Sequence, residues 1–161
     1  MMCGIFGSFR NNKVNITKNI LKHRGPDDWG VDYIESNDKW LTLFQSRLSI
    51  IGLGPQGHQP FKKTEDYLLC YNGEIYNYIY LKNKLTKKLN IKFKTETDTE
   101  LLYEYIINYG IKKTLNDIDG IFSFSFYDRI CEKLYLVRDH LGVKPLYYFH
   151  SKNELFFSSE P

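Results

Sequence analysis

Cys3 is the third residue of a 161-residue chain, and a thiol in that place has a chemistry open to it that a thiol elsewhere lacks. Once the residues before it are removed, Cys3 carries its own α-amino group, a usable base at neutral pH because its pKa is about 8. One residue then supplies nucleophile and proton acceptor. Read alone, a cysteine in an apolar run is a small buried hydrophobe, and only its position argues otherwise. A nucleophile attacking a carbonyl needs donors aimed at the developing oxyanion, commonly a side-chain amide and a backbone N–H, each contributing about 3–4 kcal/mol. Asn72-Gly73 offers both at the end of an apolar run, and the missing Cβ of Gly73 lets substrate approach the backbone closely. The same dipeptide is the strongest short hairpin signal, and a plain turn explains it equally well.

A free amino acid, as substrate, asks for a cation to meet its α-carboxylate and an anion to meet its α-ammonium, where water is excluded. Arg47, Glu74 and Asp98 are the candidates. Arg47 closes an apolar strand and is followed by Leu48-Ser49-Ile50-Ile51, an awkward place for a charge unless it is paired. Asp98 falls in the first turn of a helix, where its interaction with the macrodipole is sufficient reason for it. His23-Arg24-Gly25-Pro26-Asp27, with Gly30, makes a polar loop after a short helix, either an ordinary turn or a lid.

The elements that must hold these residues are strands interrupted by helices. The apolar run over residues 3–9 is too short for a stable helix and reads as a strand at the chain start. A strand over residues 67–71 delivers Asn72-Gly73 to a turn. Leu81, Leu85 and Leu89 recur every four residues among lysines, which predicts a surface helix after Tyr76 with Lys82, Lys84, Lys87 and Lys88 facing water. Thr97-Asp98-Thr99-Glu100 is a capping box, and Leu101, Leu102, Tyr105, Ile106 and Tyr109 continue it on one face up to Gly110. Over residues 121–127, rings at Phe122, Phe124 and Phe126 alternate with Ser123 and Ser125, the pattern of a central strand with one crowded face. Strands are also expected over residues 134–138, 146–149 and 154–158, the first two joined by a turn containing Gly142 and Pro145.

Composition bounds the function. With 42% apolar and 16% aromatic residues the chain can bury one sizeable core, and residues 1–161 are expected to form a single domain. Its formal charge of +3, from 22 basic and 19 acidic residues, is too balanced to point to nucleic acid or a membrane surface. No apolar run approaches a membrane span, and the start lacks the pattern of a secretory signal. Cys3, Cys70 and Cys131 are too few and too far apart for a disulfide framework, so a cytoplasmic location is expected. The four histidines are dispersed, and no metal site is expected.

Taken in order, Cys3-Gly4-Ile5-Phe6-Gly7, His23-Arg24-Gly25-Pro26-Asp27, Arg47-Leu48-Ser49-Ile50, Asn72-Gly73-Glu74-Ile75-Tyr76-Asn77, Thr97-Asp98-Thr99-Glu100, Arg138-Asp139-His140-Leu141-Gly142, Lys144-Pro145-Leu146-Tyr147-Tyr148 and Ser158-Ser159-Glu160 resemble the class II glutamine amidotransferases. The wording is most similar to the glutaminase domain of glutamine-hydrolysing asparagine synthetase. The resemblance implies an α+β fold, a four-layer αββα sandwich of the N-terminal-nucleophile hydrolase type. It implies hydrolysis of the L-glutamine side-chain amide through a γ-glutamyl thioester on Cys3, with Asn72 and Gly73 holding the oxyanion. Arg47 would bind the α-carboxylate, Glu74 and Asp98 would read the α-amino group, and the backbone of Leu48, Ser49, Ile50 and Ile51 would line the same pocket. No cofactor is implied for this domain, since ATP and Mg belong to the synthetase domain that follows in asparagine synthetases.

Three departures from the pattern shape what is expected. Family members start Met-Cys, whereas this chain starts Met1-Met2-Cys3, so the active chain is expected to begin at Cys3. The helix before His23 is shorter than usual. The sequence stops at Ser158-Ser159-Glu160-Pro161, so the ammonia acceptor would be a synthetase domain on another chain or one that has been lost. Two alternatives stay open, a glutamine-binding module without turnover and the glutaminase of a different amidotransferase.

Overall fold

The unlike faces of one strand organise the molecule, a computed structural model of which describes residues 2–49 and 54–161. In β5 (Gly120–Asp128) the rings of Phe122, Phe124 and Phe126 turn into a core shared with helices α1 (Tyr78–Leu89) and α2 (Asp98–Asp117). Ser123, Ser125 and Tyr127 turn the other way, and Tyr127 joins a second core. The strands β4 (Tyr67–Ile75) and β6 (Lys133–Arg138) pair antiparallel with β5 on either side, so β5 is central in a three-stranded sheet, as its alternation predicts.

The second sheet has five strands in the order β2-β3-β1-β8-β7, comprising β1 (Gly4–Arg10), β2 (Asp28–Ser36), β3 (Lys39–Arg47), β7 (Tyr147–His150) and β8 (Leu155–Ser158). Ile5, Leu41, Leu43 and Phe157 from this sheet meet Leu68, Cys70 and Tyr127 from the other. Gly7 is required there, because a Cβ on it would lie 2.0 Å from the Phe157 ring. Each fully buried side chain of this size contributes about 1.5–3 kcal/mol relative to exposure, so the two cores account for the stacking.

The helices follow their signals with two adjustments. Thr97 caps α2 by accepting the Glu100 N–H, and Gly110, with φ of 77°, breaks the helical path before it resumes to Asp117. The capping box closes in an unexpected way, because the buried Glu100 carboxylate accepts the N–H groups of Lys94 and Thr95 and pairs with Lys63. On α1, Leu81 and Leu85 are buried but Leu89 lies past the contact with α2 and is 45% exposed. Lys82 and Lys84 are not simply solvated, since they reach Glu96 and Asp117.

Two expectations about local structure fail for long-range reasons. Asn72-Gly73 does not form a turn, because β4 continues through it in register with β5, pairing Asn72 with Ser123 and Gly73 with Phe122. The polar loop expected to include Gly30 is instead the start of β2, whose pairing with β3 over its whole length overrides a weak local pattern. The sandwich carries helices on the outside of the three-stranded sheet. The five-stranded sheet is covered by residues 11–24, of which 18–24 form turns and no helix. Asn11, Asn12, Asn15 and Asn19, with the β-branched Val14, Ile16, Thr17 and Ile20, explain this through poor helix propensity.

Candidate functional site

Cys3 stands just before β1, at the end of the sandwich where β3 also finishes, and its side chain is held by backbone. Its Sγ accepts the Leu48 N–H at 3.3 Å and lies 3.6 Å from the Leu48 carbonyl oxygen. Arg24 Nε donates to the Cys3 carbonyl at 3.1 Å, and Arg24 Nη1 meets Glu160 at 2.9 Å. His23 Nε2 lies 2.9 Å from the same carboxylate. Gly25 packs so tightly on β3 that a Cβ would lie 2.5 Å from the backbone of Arg47. Asp27 donates its N–H to the Arg47 carbonyl and accepts that of Ser49. The His-Arg-Gly-Pro-Asp segment is therefore a brace beneath the thiol, pinned by five polar contacts and the packing of Gly25, and not a lid.

Cys3, Arg47, Leu48, Asn72, Gly73, Glu74 and Asp98 line one cavity. Arg47 is 5% exposed, donates to the Gly54 carbonyl at 2.7 Å, and fits because Gly57 has no Cβ, which would come within 2.1 Å of Nη2. Asp98 Oδ2 accepts the Tyr71 hydroxyl at 2.7 Å and the Ile75 N–H at 3.1 Å. Burial nevertheless raises the Asp98 carboxyl above its ordinary pKa, and burial beside that carboxylate pushes the Tyr71 hydroxyl well up. Asn72 is 2% exposed, and its Nδ2 has no hydrogen-bond partner among the described residues. Leaving such a donor unsatisfied costs about 1–3 kcal/mol, a cost that a ligand atom bonding to it would remove.

Burial and charge act on the thiol in opposite directions. Burial raises the Cys3 pKa, while the Leu48 N–H, Arg47 and Lys144 pull it down. Cys70, by contrast, sits in the core between the sheets with its pKa driven far up by burial, and Cys131 is exposed.

Not every expected residue joins the cavity. Ser49 faces an adjoining depression with Asp28 and His58, and Ile50 and Ile51 fall outside the described residues. Gly73 owes its lack of Cβ to its neighbouring strand, since a Cβ would lie 2.5 Å from the Ile121 carbonyl oxygen and 2.7 Å from Phe122 Cα. Sequence reading missed Tyr71, Gln59 and Lys144, all of which line the cavity. Gln59 Oε1 accepts the Tyr71 N–H at 2.6 Å, and the Gln59–Pro60 bond is cis. The available signals were a buried-strand tyrosine one residue before Asn72 and a lysine inside a turn, neither of which is specific alone.

Comparison with known proteins agrees with this geometry. A family model described as a glutamine amidotransferase domain matches residues 2–161. A putative glutamine-hydrolysing asparagine synthetase of Methanocaldococcus jannaschii is 35% identical over 180 residues, covering 99% of this chain and 34% of the relative. A probable glutamine-hydrolysing asparagine synthetase of Acanthamoeba polyphaga mimivirus is 37% identical, with 99% and 30% covered. One of Bacillus subtilis is 38% identical, with 99% and 22% covered. The chain thus spans about a third or less of the length of these relatives. Among solved structures, the glutamine phosphoribosylpyrophosphate amidotransferase of B. subtilis superposes with a TM-score of 0.73 at 19% identity, over 98% of this chain and 42% of that one. That likeness shows that the chain shares the fold of that amidotransferase.

Proposed function

The chain belongs to the glutamine amidotransferase domain family, and from that premise we propose that it hydrolyses the side-chain amide of L-glutamine to glutamate and ammonia, with Cys3 as nucleophile. The observation that carries the reading is the buried, unpartnered Nδ2 of Asn72 in the cavity that also holds Cys3, Arg47 and Asp98. The α-amino group of a chain beginning at Cys3 takes the thiol proton as sulfur bonds to the amide carbon. The carbonyl oxygen becomes an oxyanion held by Asn72 Nδ2 and the Gly73 N–H. Collapse breaks the C–N bond, the amine returns its proton to the departing ammonia, and water then cleaves the thioester. Arg47 meets the α-carboxylate, and Asp98 with Glu74 meets the α-ammonium, so the ends of a free amino acid fix the reacting amide between them.

Relatives that carry this domain are named glutamine-hydrolysing asparagine synthetases, which supports a place as the ammonia-supplying half of such an enzyme. The acceptor would be a synthetase domain, where ATP and Mg would act, and glutamine hydrolysis as written takes no cofactor. The reducing cytoplasm suits three free cysteines. A second reading, a glutamine-binding module without turnover, is favoured by Met2, which lines the cavity beside Cys3 and, while attached, leaves a peptide nitrogen in place of the amine.

The experiment compares protein carrying Met1 and Met2 with protein released so that Cys3 comes first, each checked by intact mass. Glutamate release is expected only from the second, and Cys3→Ala should abolish it while glutamine still binds by calorimetry. Full turnover with both methionines attached would overturn the mechanism, and glutamine binding without turnover from Cys3-first protein would establish the second reading.

A further inference from the structure

The segment between β6 and β7 has a built geometry that glutamine hydrolysis, as written above, leaves unused. β6 belongs to the three-stranded sheet and β7 to the five-stranded one, so residues 139–146 cross between them and Lys144 comes to line the Cys3 cavity. Two charged side chains fix the crossing. Asp139, 5% exposed, accepts the N–H groups of Phe122 at 3.2 Å, Val143 at 2.9 Å and Lys144 at 3.0 Å. Arg138 donates from Nε to the Lys144 carbonyl at 3.0 Å and from Nη2 to that of Gly142 at 2.6 Å. Gly142, with φ of 67°, makes the turn between them. Both backbone polar groups of Lys144 are thus held by side chains of the preceding strand end.

The Lys144 ammonium itself has no hydrogen bond or ion pair among the described residues, unlike the cations Arg24 and Arg47 and the Asp98 carboxylate. Arg24, under the Cys3 carbonyl, is paired with Glu160. Asp98, from the start of α2, is held by Tyr71, and Tyr71 and Glu74 face the cavity from β4. Arg47, at the end of β3, donates to Gly54, and a bound carboxylate neutralises its charge. With substrate present, the uncompensated cation left in the cavity is Lys144.

We propose that Lys144 is a positioning residue that keeps the Cys3 thiol and α-amino group in their reactive charge states, and that Arg138 and Asp139 are the clamp that presents it. This rests on the glutaminase reading above. A nearby cation favours thiolate over thiol and disfavours protonation of the amine, so both effects keep the free enzyme competent at lower pH. The proton still passes from sulfur to the amine and on to ammonia, and Lys144 gains or loses none.

The test uses protein with Cys3 first and Cys131→Ser, which removes the exposed thiol. In Lys144→Met the acid limb of kcat/KM should move up by about 1 pH unit, the low end of the effect of a nearby charge because Lys144 is half-buried. Lys144→Arg should restore it, and Asp139→Asn should reproduce part of the shift. The pH profile of Cys3 alkylation by iodoacetamide should move in the same direction. A loss of rate at every pH with an unmoved limb would assign the segment a structural role and overturn the proposal. An unmoved alkylation profile in folded Lys144→Met overturns it even where no glutaminase is found, whereas absence of glutamate release with a shifted profile sinks only the glutaminase reading.

Discussion

The two sheets are covered on their outer faces in different ways. Against the three-stranded sheet, α1 and α2 place Leu81, Leu85, Leu101, Leu102, Tyr105 and Ile106 in one buried cluster. Over the five-stranded sheet runs an irregular segment. Lys13 stacks on Tyr33 and Trp40, Ile16 donates its N–H to the Tyr33 hydroxyl, and Leu21 lies against Gly4, while Ile20 stays 40% exposed. A helix satisfies its own backbone and offers the sheet a solid apolar stripe, whereas an irregular segment must find partners for each N–H and covers less. The site draws on both covers in different measure. Asp98 is presented by the first turn of a helix, and Cys3 is steadied from below by Arg24 at the end of the irregular cover.

Truncation should expose this difference in stability. Leu101→Ala, wholly buried between α2 and the sheet, should lose about 2–5 kcal/mol in chemical denaturation, read as a fall in midpoint with an unchanged slope. Leu21→Ala should lose at least about 1 kcal/mol less, because loosely held chain collapses into the space left behind. Equal losses would mean that the irregular cover is packed as firmly as the helical one. A smaller effect is expected of Thr97→Ala, about 1 kcal/mol for a lost N-cap, accompanied by a higher KM for glutamine since Asp98 is the next residue. A stability change without any change in KM would separate the cap from the site. Smallest of all, Ile20→Ser should stay within about 0.5 kcal/mol, as a surface change, and a larger loss would show that this side chain is packed in solution.

Features decided within one turn or one strand could be read directly. The cap at Thr97, the break at Gly110 and the ring alternation of β5 each follow from residues that are neighbours in sequence. Asn72-Gly73 was misread because hairpin preference is local while the register with β5 is not, and β2 was passed over because its pairing partner supplies what its own pattern lacks. The candidate residues Cys3, Arg47, Asn72, Gly73, Glu74 and Asp98 come together in one cavity. Lys144 escaped notice for a geometric reason. Its Gly-Val-Lys-Pro setting says turn, and only the passage from one sheet to the other carries that turn to the thiol.

β1 is the first strand made, and it sits between β3 and β8. Its Ile5 exchanges hydrogen bonds with Ser159, whose hydroxyl accepts the Ile5 N–H and whose own N–H reaches the Ile5 carbonyl, across 154 positions of sequence. During synthesis at about 5–20 residues per second, the first strand therefore waits on the order of ten seconds for its last neighbour to leave the ribosome. Throughout that interval the leading residues are open to an aminopeptidase. Once the strand docks, Met2 lies against the cavity wall with Cys3, so any trimming ahead of Cys3 would meet a freer terminus in the nascent chain than in the folded one.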